Sequence, residues 1–157
     1  MSNQSNQSVA SVASVASAAS VANGIFVLRV ALGTLLLAHG LLKLVVFTLP
    51  GTAGFFASIG LPGFLAYPVV FGEVLGGIAL IAGFQTRLVS LLSLPILLGA
   101  AWAHAGNGWV FSAPNGGWEF PVYLVVLAAA QALLGSGAYA IDNVRQSGRS
   151  NVKFAAA

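Results

Sequence analysis

Four long apolar stretches dominate the chain and restrict what it can fold into. They run over about residues 24–47, 64–83, 88–105 and 120–141. Each has about 18–24 residues, which suits a bilayer hydrocarbon core of roughly 30 Å. Lipid offers the backbone no hydrogen-bond partners, so these stretches must be helices. The sequence therefore predicts an all-α fold, an integral membrane four-helix bundle.

The shortage of charge supports this class of fold and excludes others. Charged residues make up 6% of the 157 residues, against roughly a quarter in a soluble domain. The net charge of +3 is too small and too concentrated near the C-terminus to indicate a nucleic-acid partner. The absence of cysteine excludes disulfides, thiolate metal sites and iron–sulfur ligation. The bilayer itself is the first predicted partner.

The chain divides into three parts by composition. Residues 1–24 are a low-complexity Ser/Val/Ala segment without charge, predicted to be a mobile tail that becomes helical where it lies on the membrane. Residues 25–143 are the predicted membrane domain. Residues 144–157 form a short basic tail.

The distribution of basic residues predicts the topology. With four spans, both termini and the tight link at residues 84–87 lie on one side. That side holds Arg87, Arg145, Arg149 and Lys153, whereas the loops over 48–63 and 106–119 contain neither Lys nor Arg. By the positive-inside rule, the N- and C-termini are predicted to be cytoplasmic.

One face of the first apolar stretch is small and polar. Arg29, Gly33, Leu36, Gly40 and Lys43 fall within about 80° of arc at 100° per residue. The other faces carry Leu, Val and Ala. We therefore expect this face to point into the bundle.

The second and third stretches carry packing signals of their own. Gly72-x-x-x-Gly76, followed by Gly77, has the spacing that lets helix backbones approach each other. Pro95 lies inside the third stretch, where it removes one backbone donor and is expected to kink the helix.

Ionisable groups converge near the outer ends of the four stretches. Inside a membrane such groups are costly, and they indicate function by default. Counted at 1.5 Å per residue, the set that shares the outer half of the bundle is His39, Lys43, Glu73, His104 and Glu119. Glu73 is predicted to pair with Lys43 or to accept a hydrogen bond from His39. The simpler alternative is a buried ion pair that only fixes helix register.

Other interpretations of these residues stay open. Two histidines near one end allow haem ligation, and the His and Glu set allows a metal by ligand type, although no spacing motif supports a metal centre. Trp118, with Trp109 and Phe111, is either a lid on the pocket or an interfacial anchor. At the inner end, Arg29 and Asp142 are predicted to form a structural ion pair or to be snorkelling helix ends.

The chain resembles the DoxX family of small four-span membrane proteins over about residues 25–143. The segments that carry the resemblance are Arg29-Val-Ala-Leu-Gly33, Ala38-His39-Gly40-Leu-Leu-Lys43-Leu44, Gly72-Glu73-Val-Leu-Gly76-Gly77, Ala82-Gly83-Phe-Gln-Thr-Arg87, His104, Gly116-Gly117-Trp118-Glu119-Phe120-Pro121 and Gly135-Ser136-Gly137-Ala138-Tyr139-Ala140-Ile141-Asp142. Many members have Gly-Pro-Gly before the final Asp, where this chain has Gly-Ser-Gly.

The resemblance implies a multi-pass protein of the bacterial inner membrane, in respiratory or redox-stress chemistry. Relatives include small subunits of thiosulfate:quinone oxidoreductases and partners of thiol-oxidant defence complexes. Most members are named only as candidate oxidoreductases. The expected partners are therefore other redox proteins or subunits, and a homo-oligomer is a further possibility.

The leading hypothesis is a quinone-interacting component of a membrane oxidoreductase system, with a polar pocket in the outer half of the bundle. Glu73 and His39 handle protons in this hypothesis, and Lys43 attracts an anionic oxygen. His104 and Glu119 guard the outer mouth. No cofactor is expected to be built in, since no redox centre is visible in the sequence, so quinone enters as a substrate or bound ligand.

Two other classes of function remain. The chain is alternatively a non-catalytic scaffold that recruits a soluble enzyme to the membrane. A small-molecule transporter is less attractive, because four spans without an internal repeat depart from common transporter architecture. The sequence does not decide whether the protein is itself an enzyme.

Overall fold

The computed structural model describes residues 2–145, with side chains from residue 14 onward, and this part of the chain is helical without any strand. The five α-helices are α1 (Ser2–Leu41), α2 (Leu49–Ser58), α3 (Ala66–Ala82), α4 (Thr86–His104) and α5 (Glu119–Leu134). A π-helical turn over Leu42–Val46 extends α1. Residues 141–145 form one more helical turn after α5.

In the described part of the chain, three segments are long and apolar enough to cross a membrane: Ser14–Val46, Gly63–Ala82 and Thr86–Asn107. In the most apolar 18-residue part of each segment, only 17–28% is buried inside the protein. Most of this apolar surface therefore needs lipid to cover it. The fourth long helix, α5, is apolar but has 16 residues, or about 24 Å of length. The structure therefore supports a membrane protein of the all-α class.

The predicted extent of the fourth stretch, to Ile141, is wrong. Helix α5 ends at Leu134 because Gly135 adopts a φ of 87°, which the helix cannot accommodate. Gly137 also has a positive φ, of 66°. The chain folds back from there, and the N–H of Asp142 donates to the carbonyl of Gly83 at 3.0 Å.

The four long helices pack as a ring of neighbours. Helix α1 packs mainly on α3, and α4 mainly on α5, while α3–α4 and α1–α5 contacts close the ring. The apolar core between them consists of Leu32, Leu36, Leu80, Leu97, Leu124 and Ala128.

Glycines bring the backbones of α1 and α3 into contact. A Cβ on Gly33 would lie 2.8 Å from the carbonyl oxygen of Gly77, and one on Gly77 would lie 2.6 Å from the backbone nitrogen of Leu37. The other two glycines of the predicted motif face α4, with a Cβ on Gly72 only 2.9 Å from Ile96. The glycines of α3 therefore allow close packing on α1 at one side and on α4 at the other.

The small polar face of the first stretch points inward, as predicted. Arg29, Gly33, Leu36 and Gly40 are buried, and Lys43 is half-buried. Arg29 is completely buried, so its charge requires partners inside the protein.

The boundary predicted at residue 24 does not interrupt the helix. Helix α1 passes through Gly24 unbroken, and the carbonyl of Ala22 accepts a hydrogen bond of 2.9 Å from the N–H of Ala138. The loop after α5 therefore contacts α1 on the N-terminal side of that boundary. The mobility of the first residues stays a prediction. Most of the predicted basic tail, including Arg149 and Lys153, lies outside the described residues.

Helix α2 was not predicted from the sequence. Thr48 caps it, because its Oγ1 accepts from the N–H of Gly51, and Pro50 occupies the first turn. Thr48 has a φ of 63°, which is rare for a β-branched residue. Thr52 Oγ1 donates to the carbonyls of Thr48, at 2.9 Å, and Lys43, at 3.3 Å. These bonds fold α2 back over the end of α1.

Candidate ligand cavity

A cavity of about 520 Å³ lies at one end of the bundle, which we call the cavity end. Its wall is mostly apolar, and four ionisable side chains interrupt it. The lining residues are Leu35, Leu36, His39, Lys43, Phe55, Phe56, Ile59, Leu61, Leu65, Pro68, Val69, Glu73, Pro95, Ile96, Leu97, Gly99, Ala100, Ala103, His104, Phe120, Pro121 and Leu124. We call the opposite end, with Arg29, Asp142 and the loop over 135–140, the closed end.

Lys43 and Glu73 form an ion pair on the cavity wall. Lys43 Nζ donates to both carboxylate oxygens of Glu73, at 2.6 and 2.8 Å. The Glu73 side chain is 7% exposed and that of Lys43 is 23% exposed. Gly40 makes the pairing possible: it lies against α3 so closely that a Cβ there would be 3.0 Å from Glu73 Cβ.

The backbone around Lys43 departs from the regular α-helix. The N–H of Phe47 donates to the carbonyl of Leu42 at 3.1 Å, which is the five-residue spacing of a π-helix. Lys43 lies inside this turn. Single π-helical turns occur frequently at functional sites because they reorient one side chain relative to the rest of the helix. Nothing in the local sequence predicts this turn.

His39 lines the cavity but is not hydrogen-bonded to Glu73. Its Nδ1 lies 2.9 Å from the carbonyl oxygen of Leu35, one helical turn earlier. A carbonyl only accepts, so Nδ1 carries the hydrogen in this bond. Of the two partners that the sequence offered Glu73, the structure selects Lys43.

His104 lines the cavity from the end of α4. Its Nδ1 lies 3.1 and 3.0 Å from the carbonyl oxygens of Asn115 and Gly116. Asn107 Nδ2 donates to the same two carbonyls. The loop after α4 therefore fixes the ring, and Nδ1 again carries the hydrogen.

Glu119 and Trp118 are not among the residues that line the cavity, and the predicted roles, Glu119 as a guard of the outer mouth and Trp118 as a lid or interfacial anchor, stay predictions. The Glu119 carboxylate accepts from the N–H of Phe111 at 3.1 Å. Trp118 packs edge-to-face on Trp109, with ring centroids 4.4 Å apart. Both residues close the loop before α5, whereas Phe120 faces the cavity.

Helix α2 contributes wall residues that sequence reasoning missed. Phe55, Phe56 and Ile59 line the cavity from this helix. A threonine followed by a proline in the first turn is a recognised helix start signal, and Thr48-Leu-Pro50 carries it. The contact of α2 with the cavity depends on the turn at Thr48, which the signal does not specify.

Arg29 finds backbone partners at the closed end. Its Nη1 donates to the carbonyl of Ser136, and its Nη2 donates to the carbonyl of Tyr139 at 3.4 Å. The guanidinium carbon also lies 5.3 Å from the ring centroid of Phe26. The loop after α5 thus wraps its carbonyl groups around the buried charge.

Asp142 caps α4 instead of pairing directly with Arg29. Its carboxylate accepts from the N–H groups of Gln85, at 2.8 Å, and Thr86, at 3.0 Å, and from Ser136 Oγ at 2.8 Å. Burial raises the pKa of Asp142, and the hydrogen bonds lower it by more, so this pKa lies below its ordinary value. Among the residues that the structure describes, the one ion pair within 4.0 Å is Lys43–Glu73. The direct Arg29–Asp142 pair expected from the sequence is therefore replaced by backbone contacts.

The ionisable groups do not gather into a metal site. No group of three or more His, Cys, Asp or Glu side chains able to hold a metal ion occurs in the part of the chain that the structure describes. At the cavity end the carboxylate is already bound by an ammonium group, and each histidine is bound to backbone carbonyls. What remains available is a largely apolar space with a few directed polar atoms.

A comparison with protein-family models places this arrangement in a known family. The DoxX model matches residues 24–106, more than half of the chain. The chain belongs to the DoxX family. A similar curated protein is "Putative oxidoreductase CatD" of Bacillus subtilis (strain 168), which is 36% identical over 129 residues, 82% of this chain and 91% of that protein. No solved structure gives a significant match. The matched family segment includes His39, Lys43, Glu73 and His104.

Proposed function

We propose that this DoxX-family chain is a quinone-interacting component of a membrane oxidoreductase or redox-stress system. The observation that carries the proposal is the Lys43–Glu73 ion pair on the wall of an otherwise apolar cavity. An ammonium group attracts a developing negative charge on a quinone oxygen, and a carboxylate accepts and returns a proton. The apolar wall suits a lipid-soluble ring.

The cavity beside the ion pair favours a ligand over a purely structural role. A pair that only fixes helix register needs no cavity, and close packing around it would stabilise the protein more. Here the pair borders about 520 Å³, within the range of about 300–1,000 Å³ for small-molecule sites. The oxidoreductase name of the CatD relative agrees with a redox ligand.

Electrons reach the site from outside the chain in this proposal. The sequence has no cysteine for an iron–sulfur cluster or a thiol relay. A partner redox protein or a soluble donor therefore completes the reaction, and the chain supplies the membrane site for the quinone.

The proposed topology places the closed end in the cytoplasm of a bacterial inner membrane. Arg87 and Arg145 lie at the closed end, whereas the loops at the cavity end, over residues 48–63 and 106–119, contain neither Lys nor Arg. The positive-inside rule then orients both termini inward and the cavity toward the outer leaflet. Helix α5 serves as the fourth span in this arrangement, with local thinning of the bilayer beside it.

The test is quinone binding to the protein in nanodiscs, comparing wild type with Glu73→Gln and Glu119→Gln. Both substitutions replace one carboxylate by an amide at the same end of the bundle, but only Glu73 lines the cavity. We expect wild type and Glu119→Gln to bind decylubiquinone stoichiometrically. Glu73→Gln is expected to bind at least about tenfold more weakly, since it loses a charged hydrogen-bonding group.

The single substitution leaves the Lys43 ammonium without its counter-ion, which destabilises a buried site. A double variant, Lys43→Met with Glu73→Met, removes both charges and keeps the proposal testable if Glu73→Gln unfolds. Equal binding by wild type and both Glu73 variants would remove the ion pair from the mechanism. Absence of binding by folded wild type would favour the scaffold alternative.

A further inference from the structure

Both histidines that line the cavity use Nδ1 to bind backbone carbonyl groups. In His39 and His104, Nδ1 lies within 3.1 Å of backbone carbonyl oxygens and donates its hydrogen to them. A neutral imidazole carries one hydrogen on its two nitrogens. The remaining nitrogen, Nε2, is therefore an acceptor in both rings.

The cavity wall offers few side-chain donors to balance these acceptors. Its apolar members are Leu, Ile, Val, Ala, Gly, Pro and Phe, and it includes no Ser, Thr, Tyr, Trp, Asn, Gln or Arg among the described residues. Lys43 is the remaining donor, and both oxygens of Glu73 already bind its ammonium group. At most one of its three hydrogens is left for a ligand.

This balance fits one redox form of the ligand better than the other. A quinone has two carbonyl oxygens, which only accept, so it leaves both Nε2 atoms unpaired and competes for a single N–H. A quinol has two hydroxyl groups, which donate to imidazole nitrogen and still accept from Lys43. An acceptor that the bound ligand cuts off from other partners and leaves unpaired lowers affinity more than a modest hydrogen bond raises it.

We propose that the cavity binds the reduced, hydroxyl-bearing form of the aromatic ligand, a quinol, more tightly than the quinone, with His39 and His104 as the acceptors. This inference rests on the proposed function and specifies the chemical form that the site selects. It assigns the two histidines to ligand binding through Nε2, rather than to contact with Glu73.

The test compares three ligands that share one ring and tail: decylubiquinol, decylubiquinone and the dimethyl ether of decylubiquinol. Binding to wild type in nanodiscs is measured without oxygen at one fixed pH for all three ligands. We expect the quinol to bind at least about tenfold more tightly than the quinone, from two added hydrogen bonds. The dimethyl ether keeps the reduced ring without its donors, and we expect it to bind more weakly than the quinol by at least the same factor.

Substitutions then assign the preference to the histidines. His39→Leu and His104→Leu are each expected to reduce the quinol-to-quinone affinity ratio severalfold, while His39→Gln and His104→Gln retain an acceptor and recover part of it. Ile59→Leu is the control, because it changes the same wall without changing an acceptor. A ratio unchanged in both leucine variants would overturn the histidine assignment, and the three-ligand comparison in wild type remains decisive if a variant unfolds.

The outcomes separate this inference from the function on which it rests. Equal or tighter binding of the quinone, with dependence on Glu73, would overturn the redox-form preference and leave the proposed function standing. Failure of all three ligands to bind folded wild type would overturn both.

Discussion

At the closed end of the bundle, Arg29 and Asp142 bind mainly backbone groups, whereas at the cavity end Lys43 and Glu73 bind each other. Arg29 donates to the carbonyls of Ser136 and Tyr139, and Asp142 accepts from two backbone N–H groups. Lys43 and Glu73 have no such partners and lie beside open space. Groups bound to the backbone hold the chain in place, while a side-chain pair beside a cavity is free to exchange one partner for a ligand.

The two ends also differ in how their loops are used. At the closed end, the loop over residues 135–140 supplies carbonyls to Arg29 and contacts α1 through Ala138. At the cavity end, the loops hold His104 by one ring nitrogen and place α2 over the cavity, so they shape the space without filling it. This difference supports the proposal that one end mainly stabilises the fold and the other binds a ligand.

The largest expected difference between the ends is in the coupling of their charges. In a double-mutant cycle with Lys43→Met and Glu73→Met, we expect a coupling free energy of about 2 kcal/mol. Lys43→Met leaves the buried Glu73 carboxylate unpaired, and Glu73→Met leaves the half-buried Lys43 ammonium without its counter-ion. The cycle with Arg29→Met and Asp142→Asn is expected to give less than about 1 kcal/mol, since each residue binds backbone groups. Denaturation in a single detergent measures both cycles.

Equal coupling free energies for the Lys43–Glu73 and Arg29–Asp142 cycles would contradict the difference between the two ends. They would mean that Arg29 and Asp142 act as a direct pair in solution. Coupling near zero for Lys43 and Glu73 would instead mean that water in the cavity screens the pair, and the contrast between the ends would lose its basis.

A smaller effect concerns acid stability at the closed end. The pKa of Asp142 is lower in the folded protein, so its contribution to stability is complete above the ordinary pKa of Asp, about 3.9, and is lost as the pH falls through the folded pKa. Asp142→Asn is expected to cost about 1 kcal/mol at pH 7, as for a lost helix cap, and to flatten the stability profile below pH about 4. Thermal melts from pH 3 to pH 7 measure it.

The matched comparison is Glu119→Gln, which alters a loop carboxylate at the cavity end. A stability profile for Asp142→Asn that falls with acid as steeply as wild type would show that other carboxylates govern the acid transition.

Sequence reasoning located the ion pair because depth in a bilayer follows directly from residue count. It also identified the inward face of α1, where a Gly and Arg pattern contrasts with aliphatic residues. It did not indicate that Phe120 rather than Glu119 lines the cavity, since one residue along a helix is a rotation of about 100°. The depth of Arg29 and Asp142 in the bilayer does not indicate that loop carbonyls, rather than Asp142, bind Arg29.

The π-helical turn and the position of α2 over the cavity could not be predicted from local sequence patterns, for a physical reason. The turn at Lys43 and the positive φ of Thr48 are held by contacts between segments, such as the bond from Thr52 to the Lys43 carbonyl. Helix propensity and periodicity describe single segments and do not contain these contacts. The cavity depends on them, so its wall was only partly predicted.

The most direct test of the account is to locate a bound ligand by photolabelling. Wild-type protein in nanodiscs is irradiated with an azido-substituted decylubiquinone, and the labelled peptides are sequenced. The account predicts labels on cavity residues of α1, α2 and α4, such as Leu35, Phe56 and Ile96, with competition by unlabelled decylubiquinone and loss in the Lys43→Met, Glu73→Met double variant. Competable labels confined to the closed end, around residues 135–145, would contradict it.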